Sequence, residues 1–179
     1  MTDAQTAIAK LQSGSLSGRW VLDPAASTAE FRVKHFWGAM TVRGWFDRIG
    51  GDGSVDATGA INGQLTIDAS SVTTKNPRRD KHLRSADFFD VENHPSVVLT
   101  VTEAKPGADG KIAAKGTFEA AGRSQPVSFT AQADESGENS VTLRADLVVD
   151  RTAFGMTWGP LGMTAHEAAG KVVARFVRG

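Results

Sequence analysis

From Gly18 to the C-terminus the chain repeatedly places apolar residues at every second position, the period of a strand with one face on a core. Trp20-Val21-Leu22 opens the series and Asp23-Pro24 turns it. Ala29, Phe31, Val33 and His35 then alternate with Glu30, Arg32 and Lys34, and Met40, Val42 and Phe46 continue one face. Gly50-Gly51-Asp52-Gly53 reads as a loop. Beyond it Ala57, Gly59, Ile61, Gly63, Leu65 and Ile67 form the next inward row. Further rows run through Val97–Val101, Ile112–Phe118, Val127–Ala133, Val141–Val149 and Val172–Phe176, parted by turn residues at Pro106-Gly107, Gly122 and Gly137. Strands at this spacing predict an all-β fold, an antiparallel sandwich or barrel of about eight strands.

Two segments change the period. Asp3 to Gln12 sets Ala4, Ala7, Ile8 and Leu11 on one helical face, with Gly14 as a stop. Such a short helix is marginal alone, so residues 1–17 form an extension expected to be a docked helix or to fray, joined through a flexible Ser13-Gly14-Ser15 to a barrel over 18–179. Asn76-Pro77 is a helix start, a capping amide before a proline whose missing N–H is not needed. The predicted one- to two-turn helix falls near 77–87, in the crossover between strands, with its charged face outward and Asp80 four residues before Arg84, spaced to pair. It closes onto Phe88 and Phe89. A structural crossover is favoured over a catalytic cluster here.

The predicted inward rows hold many small residues: Ala57, Gly59, Gly63, Ala114, Gly116, Ala131, Ala133 and Ala145. A barrel of eight strands is just wide enough to be filled by side chains or to hold one small ligand. Small residues leave it hollow unless they mark bulges and bends while aromatics fill the gap; the pattern leaves both readings open. Between Asp150 and Ala169 the alternation breaks into Phe154-Gly155-Met156-Thr157-Trp158-Gly159-Pro160-Leu161-Gly162-Met163. So apolar a loop needs a cover: the barrel mouth, a ligand tail or a second subunit.

Composition narrows the function classes. Of 179 residues 40% are hydrophobic, enough for a core, and 20 Lys+Arg balance 20 Asp+Glu. Zero net charge argues against nucleic acid or an anionic membrane as the main partner. No cysteine is present, so thiolate chemistry and disulfides are excluded. Met1-Thr2-Asp3-Ala4-Gln5 lacks the basic start and apolar run of a secretion signal, and no stretch is long enough to span a bilayer, so a cytoplasmic location is expected.

The search for reaction chemistry returns little. There is no Gly-x-Ser-x-Gly elbow. His166-Glu167 begins like a zinc-protease motif, but Gly170 stands where the second histidine should be. His35, His82, His94 and His166 share no ligand spacing, so no metal and no catalytic residue is assigned. His35, on an apolar face, is expected to be a core histidine with a hydrogen-bond partner. Asp80 and His82 form the one acid–base pair on which an alternative, a cofactor-free enzyme acting on an apolar substrate, could rest.

Trp20-Val21-Leu22-Asp23-Pro24 with Ser27, Phe31-Arg32-Val33-Lys34-His35, Val42-Arg43-Gly44, Ile67-Asp68 with Ser71-Val72-Thr73-Thr74, Arg79-Asp80-Lys81-His82-Leu83-Arg84-Ser85, Asp87-Phe88-Phe89-Asp90, and Asp150-Arg151 with Phe154-Gly155 together resemble the YceI-like proteins. The resemblance implies an eight-stranded antiparallel lipocalin-like barrel whose apolar tunnel holds a long-chain isoprenoid or a related amphiphilic, quinone-like lipid, with no cofactor and no enzymatic step. The expected lining is Phe31, Val33, Phe36, Trp37, Met40, Val42, Phe46, Leu83, Phe88, Phe89, Phe154, Met156, Trp158 and Leu161. Arg79, His82 and Arg84 are expected at a head group. A homodimer through the 154–163 loop and the N-terminal helix is a further expectation. The Leu161–Gly170 segment departs from the family pattern, at the entrance.

Overall fold

The computed structural model describes residues 2–107 and 109–179. Eleven strands form one sheet that closes on itself. Three pairs of them are the halves of single bent strands. β1 (Gly18–Leu22) runs into β2 (Thr28–His35) across a 3-10 turn whose Asp23 carboxylate accepts from the Ala25 N–H. β3 (Met40–Phe46) runs into β4 (Ile49–Val55) across Asp47-Arg48, and β5 (Ile61–Asp68) into β6 (Val72–Thr73) across a turn capped by Asp68. The breaks sit side by side, because Phe46 pairs with both Ala29 and Val72. β7 (Ser96–Pro106), β8 (Lys111–Ala120), β9 (Arg123–Ser136), β10 (Ser140–Asp150) and β11 (Glu167–Arg178) are long and continuous. β11 pairs with β2 along its first half and with β1 at its end, which closes an eight-stranded antiparallel barrel.

The alternation in β7 to β11 is realised as expected: Val97, Leu99, Ile112, Ala114, Ala131, Ala133, Ala145, Leu147 and Ala174 are buried. Two sequence expectations fail in the first half of the barrel. Gly50-Gly51-Asp52-Gly53 is not a loop but the middle of β4, paired with both β1 and β5. The glycines are needed because the two backbones lie too close for side chains: a Cβ on Gly51 would sit 2.5 Å from the Gln64 carbonyl, and one on Gly53 2.8 Å from that of Asn62. Conversely, Ala57 and Gly59 are not an inward row. They lie in a turn held by Asp56, whose carboxylate accepts from the Thr58 N–H at 2.8 Å and the Ala60 N–H at 3.0 Å.

The helix α1 (Asp3–Gln12) lies across one end of the barrel with Ala7, Ile8 and Leu11 buried. It begins in a reciprocal cap between Thr2 and Gln5, which satisfies N–H groups that a ten-residue helix could not otherwise cover. The Ser13-Gly14-Ser15 joint is a bonded helix end rather than a flexible link. Ser15 N–H donates to the Lys10 carbonyl, and the Arg178 guanidinium donates to the carbonyls of Ser15 and Ser17. The same guanidinium lies 4.9 Å over the Trp20 ring, whose indole N–H donates to the Leu16 carbonyl at 2.8 Å. This end is shut.

At the other end β6 reaches only two residues beyond the bend, and β7 pairs with β5 rather than with β6. The helix α2 (Pro77–Leu83) packs there against β6, started by Asn76, whose side chain accepts from the Arg79 N–H.

Candidate functional site

The bore holds two cavities. The wider, about 720 Å³, occupies the end bounded by α2 and falls in the size range of small-molecule sites. The narrower, about 160 Å³, lies beneath α1. Leu65, Leu99 and Val172 line both, so the two chambers lie end to end along one bore and meet at this waist.

The wall of the wide chamber is built from aromatic rings. Phe31 meets Phe46 at 5.6 Å between centroids, Phe46 meets Phe89 at 5.5 Å edge-on, and Phe118 meets Phe154 at 5.4 Å. Tilted and edge-to-face contacts like these fix ring positions and hold a wall without filling the space behind it. Gly44 makes room for the Phe31 ring, which lies directly over it across the β2–β3 pair, so any side chain at 44 would displace Phe31.

α2 is bolted to the barrel by its charged residues. Buried Asp80 accepts from the Thr74 N–H at 2.7 Å and from the hydroxyls of Thr74 and Thr73. Arg84 donates to the carbonyls of Ser70 and Val72 at 2.8 and 2.9 Å, which gives the unpaired end of β6 its missing donors. The expected Asp80–Arg84 pair is therefore not made, and the charged face is partly inward. Arg79 donates to the Thr74 hydroxyl at 2.8 Å yet still lines the chamber beside exposed Arg78. His82 bonds Asp87 at 2.7 Å, with its ring edge-on to Trp158 at 4.5 Å and Phe88 at 5.1 Å.

The loop after β10 is organised by one residue. Arg151 is buried, and its guanidinium donates to four carbonyls: Ala165 at 2.7 Å, Trp158 at 3.0 Å, Thr164 at 3.1 Å, and Met156. Burial pushes its pKa down, with neighbouring Asp150 opposing. Asp150 is itself held below the usual carboxylate value, chiefly by the Thr152 hydroxyl and backbone N–H. A cation satisfied entirely by carbonyls clamps the loop from Gly155 to His166 against the barrel. His35 joins the clamp, bonding the Thr164 hydroxyl at 2.7 Å, which makes it a partnered wall residue.

The YceI-like domain model matches residues 20–177, nearly the whole barrel. The chain belongs to the YceI-like family. A UPF0312 protein of Pectobacterium atrosepticum is 36% identical over 110 residues, 58% of this chain and 57% of that one; another from Pectobacterium carotovorum is 34% identical over 141 residues, 75% and 72%. The chain spans about three-fifths of the length of the first curated relatives it matches. Among solved structures, Burkholderia cenocepacia BcnA superposes with a TM-score of 0.78 at 21% identity, covering 86% of this chain and 98% of that one. A polyisoprenoid-binding domain from Saccharophagus degradans, implicated in plant cell wall breakdown, gives 0.72 at 15%, covering 89% and 98%. At these identities the structures establish a shared fold.

Within this YceI-like barrel, Phe31, Val33, Val42, Phe46, Arg79, His82, Leu83, Phe88, Phe89, Phe154, Met156 and Trp158 line the wide chamber. Five expected residues do not. Phe36, Trp37, Met40 and Leu161 point to solvent, because they sit on hairpin and loop tips beyond the last strand pairs. Arg84 faces the β6 backbone. The Asp80–His82 pair imagined for catalysis is also separated: Asp80 is spent on Thr73 and Thr74, and His82 on Asp87. Sequence reasoning missed Arg78, Arg151, Leu147 and Val149 as lining residues. Parity along β10 carried the signal for the last two, whereas the facing of Arg78 depends on how Asp80 anchors α2. Among the described residues no three His, Asp or Glu side chains are placed to hold a metal, and no helix is long and apolar enough to cross a membrane.

Proposed function

We propose that this YceI-like barrel binds a long-chain isoprenoid or a related amphiphilic lipid, tail inward, and carries or stores it without chemical change. The observation that carries the reading is the wide chamber itself: about 720 Å³, walled by aromatic and branched side chains, with basic side chains gathered at one end. A fully buried CH₂ contributes about 0.8 kcal/mol, so a five-carbon unit offers about 4 kcal/mol before costs. Association opposes binding by about 4–15 kcal/mol, so several units are needed before affinity is useful. The tail supplies the affinity. Arg78, Arg79 and His82, at the α2 end of the chamber, supply donors to a polar head. The Saccharophagus degradans neighbour is a polyisoprenoid-binding domain, which supports the same ligand class.

The test is a thermal-shift and titration series with prenyl alcohols of increasing length. Saturation at about 100 times Kd is expected to add about 2.7 kcal/mol, a rise in Tm of about 5–10 °C for a chain of this size. Affinity should climb with each added unit until the chamber is full. A flat response across the series overturns the proposal.

A further inference from the structure

Seven large hydrophobic side chains are prominently exposed among the described residues, and five of them stand together around the wide end: Phe36, Trp37, Met40, Trp158 and Leu161. Trp37 is 75% and Leu161 84% exposed. They come from two separate tips, the β2–β3 hairpin and the loop after β10, joined edge to edge. Trp37 N–H donates to the Met163 carbonyl, and Ala165 N–H to the Lys34 carbonyl. Trp158 extends the rim to α2 through His82.

The backbone at these tips is also held in an unfavourable state. Phe36, Trp37 and Leu161 have φ of 50°, 52° and 56°, the left-handed region that bulky side chains avoid. Strain kept at solvent-facing tips, where Trp37 and Leu161 bury little, points to a role outside the folded chain. Around the apolar rim the exposed charges are mainly basic: Lys34 beside the hairpin tip, and Lys75, Arg78 and Lys81 on or next to α2. The acids nearby lie elsewhere: Asp80 is buried against Thr74, Asp87 is exposed beyond the end of α2 beside His82, and exposed Asp150 and Glu167 are register partners on β10 and β11. The zero net charge of the chain is unevenly spread here, with the basic excess at the hairpin tip and along α2.

We infer that this rim docks on the surface of a lipid bilayer containing anionic lipid, with Trp37 and Leu161 entering the interface and Lys34, Arg78 and Lys81 meeting lipid head groups. Aromatic and aliphatic tips flanked by lysine and arginine suit an interfacial surface. The inference rests on the lipid-binding reading in one respect: the rim surrounds the end of the chamber through which an insoluble tail would pass. It commits to the bilayer rather than to a second copy of the chain, because a symmetric self-contact would bring Lys34, Arg78 and Lys81 of one copy towards the same side chains of the other.

The test uses the full chain with sedimented vesicles of phosphatidylcholine, alone or with about one-third phosphatidylglycerol. Binding to the anionic vesicles, a blue shift of tryptophan emission, and weakening by salt are expected. The double variant Trp37→Ser, Leu161→Ser should lose binding roughly tenfold or more, and Arg78→Glu about fivefold on anionic vesicles only. An Ala29→Trp variant, which obstructs the bore away from the rim, should keep vesicle binding while losing lipid uptake. Vesicle binding by a protein that takes up no lipid upholds the docking surface and counts against the chamber reading alone. No binding by the unaltered chain, or binding indifferent to the double variant, overturns the inference. So does a dimer in sedimentation that the double variant disperses while vesicle binding is nil.

Discussion

The two ends of the bore use opposite means. At the α1 end the wall is lined with small residues, Gly63, Ala114, Ala131, Ala133 and Ala145, and yet the space left is only about 160 Å³. Trp20, Leu11 and Leu16 come inward to occupy it. At the α2 end the wall is lined with phenylalanines, and about 720 Å³ remains. Small wall residues therefore mark where another element presses in, and large ones where a wall must stand on its own. The size of a lining residue does not report the size of the hole behind it. What leaves the wide end hollow is topology: three adjacent strands bend at one level, β6 stops early, and α2 bridges the gap instead of a strand.

If the α1 end is a filled core and the α2 end a container, the same kind of truncation should cost more at the first. Trp20→Ala removes a buried ring together with its bond to Leu16 and its stacking on Arg178, so a loss of about 3–5 kcal/mol is expected in denaturant unfolding. Arg151→Ala comes next. It strips donors from four carbonyls and should cost about 2–4 kcal/mol, with proteolysis appearing first in the 155–166 loop. Phe46→Ala faces the existing void, so its cost should stay near 1–2 kcal/mol, below the usual ~3–5 for a packed ring, while prenyl-alcohol affinity drops. Equal costs for Trp20→Ala and Phe46→Ala would erase the contrast.

The smallest expected effect is on pH. Asp68 caps the turn at the bend before β6, and the Ser70 hydroxyl, then Arg48, hold its pKa below the ordinary carboxylate value. A depressed folded pKa means the contribution is complete above the unfolded value of about 3.9 and is lost as pH falls through the folded one. Asp68→Ala should cost about 1 kcal/mol at neutral pH, and its difference from the unaltered chain in urea unfolding should shrink below pH ~4.

Much of this architecture is legible in the sequence. β7 to β11 show the plain alternation of strands with one face inward, the first helix shows its apolar face and its stop at Gly14, and the second its start in Asn76 and Pro77. β4 was not legible, since its glycines answer to the backbone of β5, a neighbour the local pattern cannot reveal. Arg151 gave no clue to its role, because all its partners here are main-chain carbonyls and leave no side-chain signature. Arg84 and Arg78 exchanged roles for a similar reason: helical spacing fixes their relative angle, but Asp80 and Thr74 decide which faces the chamber. Phe36, Trp37, Met40 and Leu161 were apolar residues assigned inward by parity or composition. They sit at tips where strand parity no longer applies, which is what leaves them free to form the rim.

The most direct test of the central claim is native mass spectrometry of the full chain purified without detergent. A single long-chain lipid bound per barrel, released unchanged on denaturation and lost in a Val33→Trp variant that obstructs the wide chamber, is the expected result. A chain that carries nothing, and that no prenyl lipid stabilises, would contradict it.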